Sequence, residues 1–173
     1  MKLPIWEVLK ANYPSLEAGK VFKKIGGKVE YNYDIGVFNN ACATRVSKSL
    51  NASGGAHLIP FFKALSPNGK MEAQVSSGKN RNWYIFRVKM LVKHLTGRYG
   101  VPEKFQPAKY KTELKGRKGI IVFEVSGWGD ATGHADLWDG SKCLWKGYGG
   151  LANKILFWEA DKTPVKEKPA GVK

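Results

Sequence analysis

The chain has 173 residues, with 29 Lys and Arg against 14 Asp and Glu, a formal net charge of +15, and 43% hydrophobic residues. That length and apolar content fit one domain with a real core, and 6 Trp, 7 Tyr and 8 Phe exclude a disordered basic tail protein. The longest unbroken apolar runs, such as Ile120 to Phe123, are four residues long, far short of the roughly 20 a spanning helix needs, so no membrane insertion is expected. The opening Met-Lys-Leu-Pro-Ile-Trp-Glu has no continuous apolar stretch, so a cytoplasmic product without a Sec signal is expected.

In chain order, Trp6, Leu9 and Tyr13 stand at helical spacing and predict a helix from Trp6 to Tyr13, stopped by Pro14. A second helix is expected over Leu16 to Ile25, closed by Gly26-Gly27, and a third from about Cys42 to Leu50 with Asn39-Asn40 as caps. A Gly-rich loop, Asn51 to Ala56, follows. Trp83 to Phe86 reads as a short strand leading into a helix whose Val88, Leu91, Val92, Leu95 and Tyr99 share a face, ended by Gly100 and Pro102. Strands are expected over Gly119 to Val125, Gly133 to Trp138 and Lys154 to Glu159. Asp139-Gly140 is read as a hairpin turn into a further strand, Ser141 to Trp145. Residues 1–160 make one domain, and a basic Lys/Pro/Glu-rich tail is expected over 161–173. Helices first and an antiparallel sheet later define an α+β fold.

The charge is uneven. Residues 59–118 hold 14 bases and 3 acids, which is +11 of the +15, whereas residues 119–173 are neutral with 7 of each. A solvated surface and a working polyanion-binding surface are both consistent with this. Nucleic acid is disfavoured, because no helix-turn-helix, RNP-type or zinc-finger pattern accompanies the charge; a bacterial cell wall is a polyanion that fits as well.

Two cysteines and three histidines limit the catalytic candidates. Neither Cys has a Cys or His at ligand spacing, so no metal is expected, and no cofactor motif is present. A disulfide between Cys42 and Cys143 stays open. Cys42 falls where Gly36-Val37-Phe38-Asn39-Asn40-Ala41 meets a predicted helix start, a place whose free N–H groups favour a thiolate and an oxyanion; a small buried hydrophobe is the alternative. His134 opens a strand after a Gly-rich loop, which would hold a general base rigidly, or simply be a structural strand-edge histidine. His57 and His94 are read as solvated. A Cys at a helix start followed some 90 residues later by a strand His has the chain order of papain-like enzymes.

Phe38-Asn39-Asn40-Ala41-Cys42-Ala43-Thr44-Arg45-Val46-Ser47, closing in Leu50-Asn51-Ala52-Ser53-Gly54, resembles the cysteine motif of the fourth family of type VI secretion amidase effectors. Lys118 to Val122, Gly127-Trp128 and Gly133-His134-Ala135-Asp136-Leu137-Trp138-Asp139-Gly140 resemble its histidine block, and Trp83 to Val88 has a counterpart between them. The likeness runs from about residue 36 to residue 143. It implies a papain-like domain of the NlpC type, with N-terminal helices packed on an antiparallel sheet. It also implies an antibacterial toxin carried by type VI machinery to a rival's periplasm, to cleave the γ-D-glutamyl–meso-diaminopimelate bond of peptidoglycan, and a cognate periplasmic immunity protein. By the same resemblance Cys42 is the nucleophile and His134 the base.

One departure affects the third catalytic residue. The family carries an Asp about eleven residues after the His, inside a Cys-x-Asp-x-Cys stretch with a disulfide. Here Cys143 is followed by Leu144-Trp145-Lys146-Gly147, so the Asp and the second Cys are missing and Cys143 is expected to be an unpaired, buried thiol. Asp136 is the first candidate to orient His134, because i and i+2 on a strand share a face. Asp139 is the second, with Asn153 or a backbone carbonyl behind it. Asn39 or Asn40 is a candidate oxyanion donor beside the Cys42 N–H, and Arg45 is either a contact to a substrate carboxylate or an exposed helical residue. Trp128 lines a substrate groove or packs the sheet. The missing Asp also keeps open a catalytically inactive papain-like domain or a basic binding module for cell wall or nucleic acid, and, more remotely, an acyltransferase or deamidase.

Overall fold

The computed structural model describes residues 1–66, 68–126 and 133–162. Helix α1 (Trp6–Asn12) buries Trp6 and Leu9 and stops where Tyr13 turns extended before Pro14, as a residue preceding proline must. Helix α2 (Ala18–Ile25) buries Val21, Phe22 and Ile25 and ends on Gly26, whose φ of +67° suits glycine alone. Gly26 does not lead into a loop. It also serves as the N-cap of α3 (Gly27–Asp34), a helix the sequence reading missed because a Gly-Gly pair normally marks an end.

Helix α4 (Cys42–Ala52) is buried on nearly every side, including Thr44, Arg45, Ser47, Ser49 and Asn51. Such a polar helix tolerates burial because Thr44, Ser47 and Asn51 are hydrogen-bonded to neighbouring segments, whereas Ser49 Oγ has no partner among the described residues. Ser47 Oγ donates to Ala43 O and accepts the Ile85 N–H, Thr44 Oγ1 donates to Ile85 O, and Asn51 donates to Trp83 O while accepting the Ile59 N–H. These bonds tie α4 to strand β4 (Trp83–Ile85), which forms a hairpin with β3 (Val75–Ser77); a separate hairpin joins β1 (Lys63–Leu65) to β2 (Met71–Ala73). Gly55–His57 is a single 3₁₀ turn inside the expected loop. Helix α5 (Val88–Tyr99) buries Val88, Leu91 and Leu95, and Gly100 caps it with φ +97°.

The main sheet is antiparallel, in the order β5 (Glu103–Phe105), β8 (Lys154–Glu159), β6 (Gly119–Glu124), β7 (Gly133–Trp138). Ile120, Val122, Ala135, Leu137, Leu156 and Trp158 pack with residues of α1, α4 and α5. The alternate residues Ile121, Phe123, Trp138, Ile155 and Phe157 pack with Tyr110 of the short α6 (Tyr110–Glu113) and with Leu114. Cover on both faces explains why these strands are apolar runs rather than alternating ones.

The expected strand Ser141 to Trp145 does not form, and only an isolated bridge joins Trp138 to Cys143. Asp139 Oδ1 accepts the N–H groups of Ser141 and Lys142, and the N–H groups of Trp145 and Lys146 turn toward the Asp136 carboxylate instead of a ladder. Asp161, where the tail was expected to begin, pairs with Lys2 at 3.0 Å and donates its N–H to Pro4 O. Lys162 pairs with Glu159 at 2.8 Å; residues 163–173 and Trp128 lie outside the described residues. Among the described residues, no helix is long and apolar enough to cross a membrane, and no group of three or more His, Cys, Asp and Glu side chains could hold a metal ion.

Candidate active site

Helix α4 begins at Cys42 itself. Its N-cap is Ala41, which offers no side chain to the first turn, and the Cys42 N–H instead donates to Asn40 Oδ1 at 3.0 Å. The expected capping by Asn40 is therefore real in chemistry but shifted by one residue. It also places a carbonyl oxygen where an oxyanion would sit. Cys42 is 2% exposed, and both thiols are free, which excludes the Cys42–Cys143 disulfide that the sequence left open. Burial, followed by the charges of Asp136 and Asp139, pushes the Cys143 thiol well above its ordinary range, so it is a packed and unreactive group.

His134 stands at the second position of β7, held by pairing with Phe123 of β6. Its Nε2 lies 3.5 Å from Asp136 Oδ2, two residues on along the same side of the strand. Cys42 lies close enough to the same imidazole to raise its pKa. Asp136 is fully buried. Its carboxylate accepts the N–H of Leu137 at 2.7 Å, of Trp145 at 3.2 Å and of Lys146 at 2.8 Å, so it cannot rotate away from the histidine. The 3.5 Å contact is long for a hydrogen bond, as is common for catalytic pairs without substrate. The Tyr13 hydroxyl is buried beside the same carboxylate; burial first, and the Asp136 charge second, raise its pKa well above 10.

Burial opposes charge on His134, but the attraction of Asp136 and Cys42 outweighs it and pushes the pKa up to about 9. A folded-state pKa above the ordinary 6.5 stabilises the fold fully below pH 6.5, and the contribution is lost as pH rises through 9. The stake is ~3 kcal/mol from the size of that shift. Denaturant titrations at pH 7 and pH 10 are expected to show a stability loss that a His134→Gln variant lacks; equal losses in both proteins would refute the assignment.

Of the other sequence candidates, Asp139 is committed to its turn, where Oδ1 accepts the Ser141 N–H and hydroxyl and the Lys142 N–H at 2.8 Å each. Asn153 Oδ1 accepts from Ser126. Asn39 and Asn40 line a cavity of about 230 Å³ with Ala41, Arg45, His134 and Trp145. Arg45 is not an exposed helical residue: it is 3% exposed, and its guanidinium lies 4.6 Å from the Trp145 ring centroid. Trp145 and Tyr148, whose ring centroid is 4.5 Å from that of His134, were not singled out from sequence as site residues. Their only signal was position: Trp145 ends the strand expected after Cys143, and Tyr148 lies three residues beyond it. His57 is half-buried with Nδ1 3.1 Å from the Tyr99 hydroxyl, and His94 is half-buried against Phe62, so neither is the solvated residue expected.

A buried thiol at the start of a helix, facing a strand histidine backed by a fixed carboxylate, defines a papain-like cysteine hydrolase fold of the NlpC type. The sequence profile of the type VI secretion system (T6SS) amidase effector protein 4 family, Tae4, matches residues 38–158, and the chain belongs to that family, whose members are peptidoglycan amidases. Among solved structures, Tae4 in the effector–immunity complex Tae4–Tai4 from Salmonella Typhimurium is 30% identical, with 91% of this chain and 99% of that one covered at a TM-score of 0.76. The corresponding Tae4–Tai4 complex from Enterobacter cloacae gives 30% identity, 91% and 99% coverage and a TM-score of 0.74. Tae4 alone from Enterobacter cloacae is 29% identical, with 93% and 100% coverage and a TM-score of 0.76. A comparison with curated protein sequences gives no significant match.

Proposed function

We propose that this amidase hydrolyses the bond between the γ-carboxyl of D-glutamate and meso-diaminopimelate in peptidoglycan stem peptides, through a thioester on Cys42, in the periplasm of a target cell. The carrying observation is the Cys42–His134–Asp136 arrangement: a buried thiol at the start of α4 that acts on an imidazole whose Nε2 faces a buried, anchored carboxylate. Cys42 Sγ, its proton already held by His134, attacks the amide carbon. The imidazolium then protonates the departing amine as the C–N bond breaks. Water, deprotonated by His134, attacks the thioester and returns the thiol. Asp136 supplies the charge that keeps the imidazolium in place. A cognate immunity protein follows from the effector–immunity complexes formed by the Salmonella and Enterobacter relatives. The excess of bases between the two catalytic motifs suits adhesion to an anionic wall rather than the chemical step.

The oxyanion site needs a rearrangement, because the Cys42 N–H already donates to Asn40 Oδ1. Substrate must displace that oxygen, after which the amide end of Asn40 can serve as a second donor. Asn40→Asp places a charged acceptor on the same N–H and removes the donor. It is expected to lower kcat about 100-fold with little change in KM, since the loss falls on the transition state. Steady-state kinetics on a soluble muropeptide check this; an unchanged kcat would remove Asn40 from the oxyanion site. The overall reading is tested by mass spectrometry of digested diaminopimelate-type sacculi. New amino termini on diaminopimelate are expected, and an unchanged muropeptide profile with salt-sensitive wall or DNA binding would mark a binding module instead.

A further inference from the structure

We infer that Arg45 is the specificity determinant of this site, and that it reads a free carboxylate flanking the scissile amide. This rests on the stem-peptide reading above. Arg45 lies one helical turn beyond Cys42, on the same face of α4, a spacing that sets their Cβ atoms about 5–6 Å apart. Its side chain is 3% exposed and lines the cavity that also holds His134. One terminal nitrogen donates to Leu16 O at 2.7 Å and the guanidinium is stacked on Trp145 at 4.6 Å, which fixes its plane. Among the described residues, its buried Nε has no hydrogen-bond partner.

An orphaned donor on a buried, pre-oriented cation is costly unless a ligand completes it, and a carboxylate is the group that matches a guanidinium fork. Lys146, exposed at the same cavity with its Nζ 6.0 Å from the Trp145 ring centroid, adds a second positive charge; among the described residues that line the cavity, Glu17 is the only carboxylate. The proposed substrate offers such a group at the right reach. A γ-linked D-glutamyl residue keeps its α-carboxylate four carbon–carbon bonds from the scissile carbonyl carbon, about 5 Å when extended. Diaminopimelate offers a second carboxylate on the leaving side.

Three soluble stem peptides separate these sources: one with both carboxylates free, one with the D-glutamyl carboxylate amidated, and one with the diaminopimelate carboxylate amidated. The wild-type enzyme is expected to prefer the free form over one of the two amides by about 10- to 100-fold in kcat/KM, expressed in KM, the size of a lost charged hydrogen bond. Which amide suffers identifies the carboxylate read. Arg45→Gln is expected to bring that ratio to about one. Equal wild-type rates on all three peptides would overturn the inference while leaving the amidase reading intact. So would an Arg45→Gln variant that slows every peptide alike and keeps the preference, since that describes a merely structural arginine. Cleavage of none of the three would overturn the bond assignment itself, and the inference with it.

Discussion

Cys42→Ala is expected to abolish release of new amino termini from diaminopimelate-type peptidoglycan, with kcat reduced by at least about 10⁴-fold. The physical reason is that no other group can take over the attack. The second thiol, Cys143, is packed against the far core cluster, and its thiolate is disfavoured by burial and by two carboxylates. Water activated by His134 alone would have to attack an unstrained amide without a covalent intermediate, which is far slower. Cys42 is buried in the main core, yet removing one sulfur leaves only a small void, so the variant should fold with a melting temperature within a few degrees of the parent. Cys143→Ala serves as the matched control and is expected to retain activity. Muropeptide chromatography with mass detection reads the outcome. Undiminished digestion by Cys42→Ala would refute the nucleophile, and undiminished toxicity without digestion would favour a binding module.

How much of this was legible in the sequence depended on whether the deciding contact was local. Helices α4 and α5 follow directly from apolar spacing, and Cys42 and His134 follow from motif and chain order. The short strands β1, β2, β3 and β5 carry only three residues each, too few for a pattern to develop. Asp139-Gly140 is a genuine turn signal. The strand expected after it fails because a residue outside the hairpin tip, Asp136, captures the N–H groups of Trp145 and Lys146. That same capture fixes a carboxylate beside His134 although the Asp expected from the resemblance is missing. The loop that would have carried it now folds around the carboxylate that faces His134. The burial of Arg45 was illegible for a similar reason: it depends on Leu16 and Trp145, 29 residues before it and 100 after, and nothing in the local helix pattern reports either.

Asp136→Asn is expected to cost both stability and catalysis, and the two losses have separate causes. The carboxylate is fully buried and is acceptor-only, and it receives three backbone N–H groups while facing His134 Nε2 at 3.5 Å. An amide of the same shape has one acceptor oxygen and one donor NH₂. If the NH₂ faces Trp145 and Lys146, two buried donors oppose a third and the loop 144–146 loses its anchor, at a cost of about 2–4 kcal/mol. If it faces His134, it donates to Nε2 and selects the tautomer that cannot accept the Cys42 proton. Either way the charge that holds the imidazolium is gone. A kcat reduction of about 10²- to 10⁴-fold follows from comparable losses of an orienting carboxylate. A further signature distinguishes this from a simple packing defect. Asp136 helps raise the His134 pKa to about 9, so its neutralisation should move the alkaline limb of the kcat/KM profile to lower pH. Asp139→Asn, which only loosens a turn, should leave that limb where it is. An Asp136→Asn enzyme within about threefold of the parent, with an unmoved alkaline limb, would transfer the orienting role to another group.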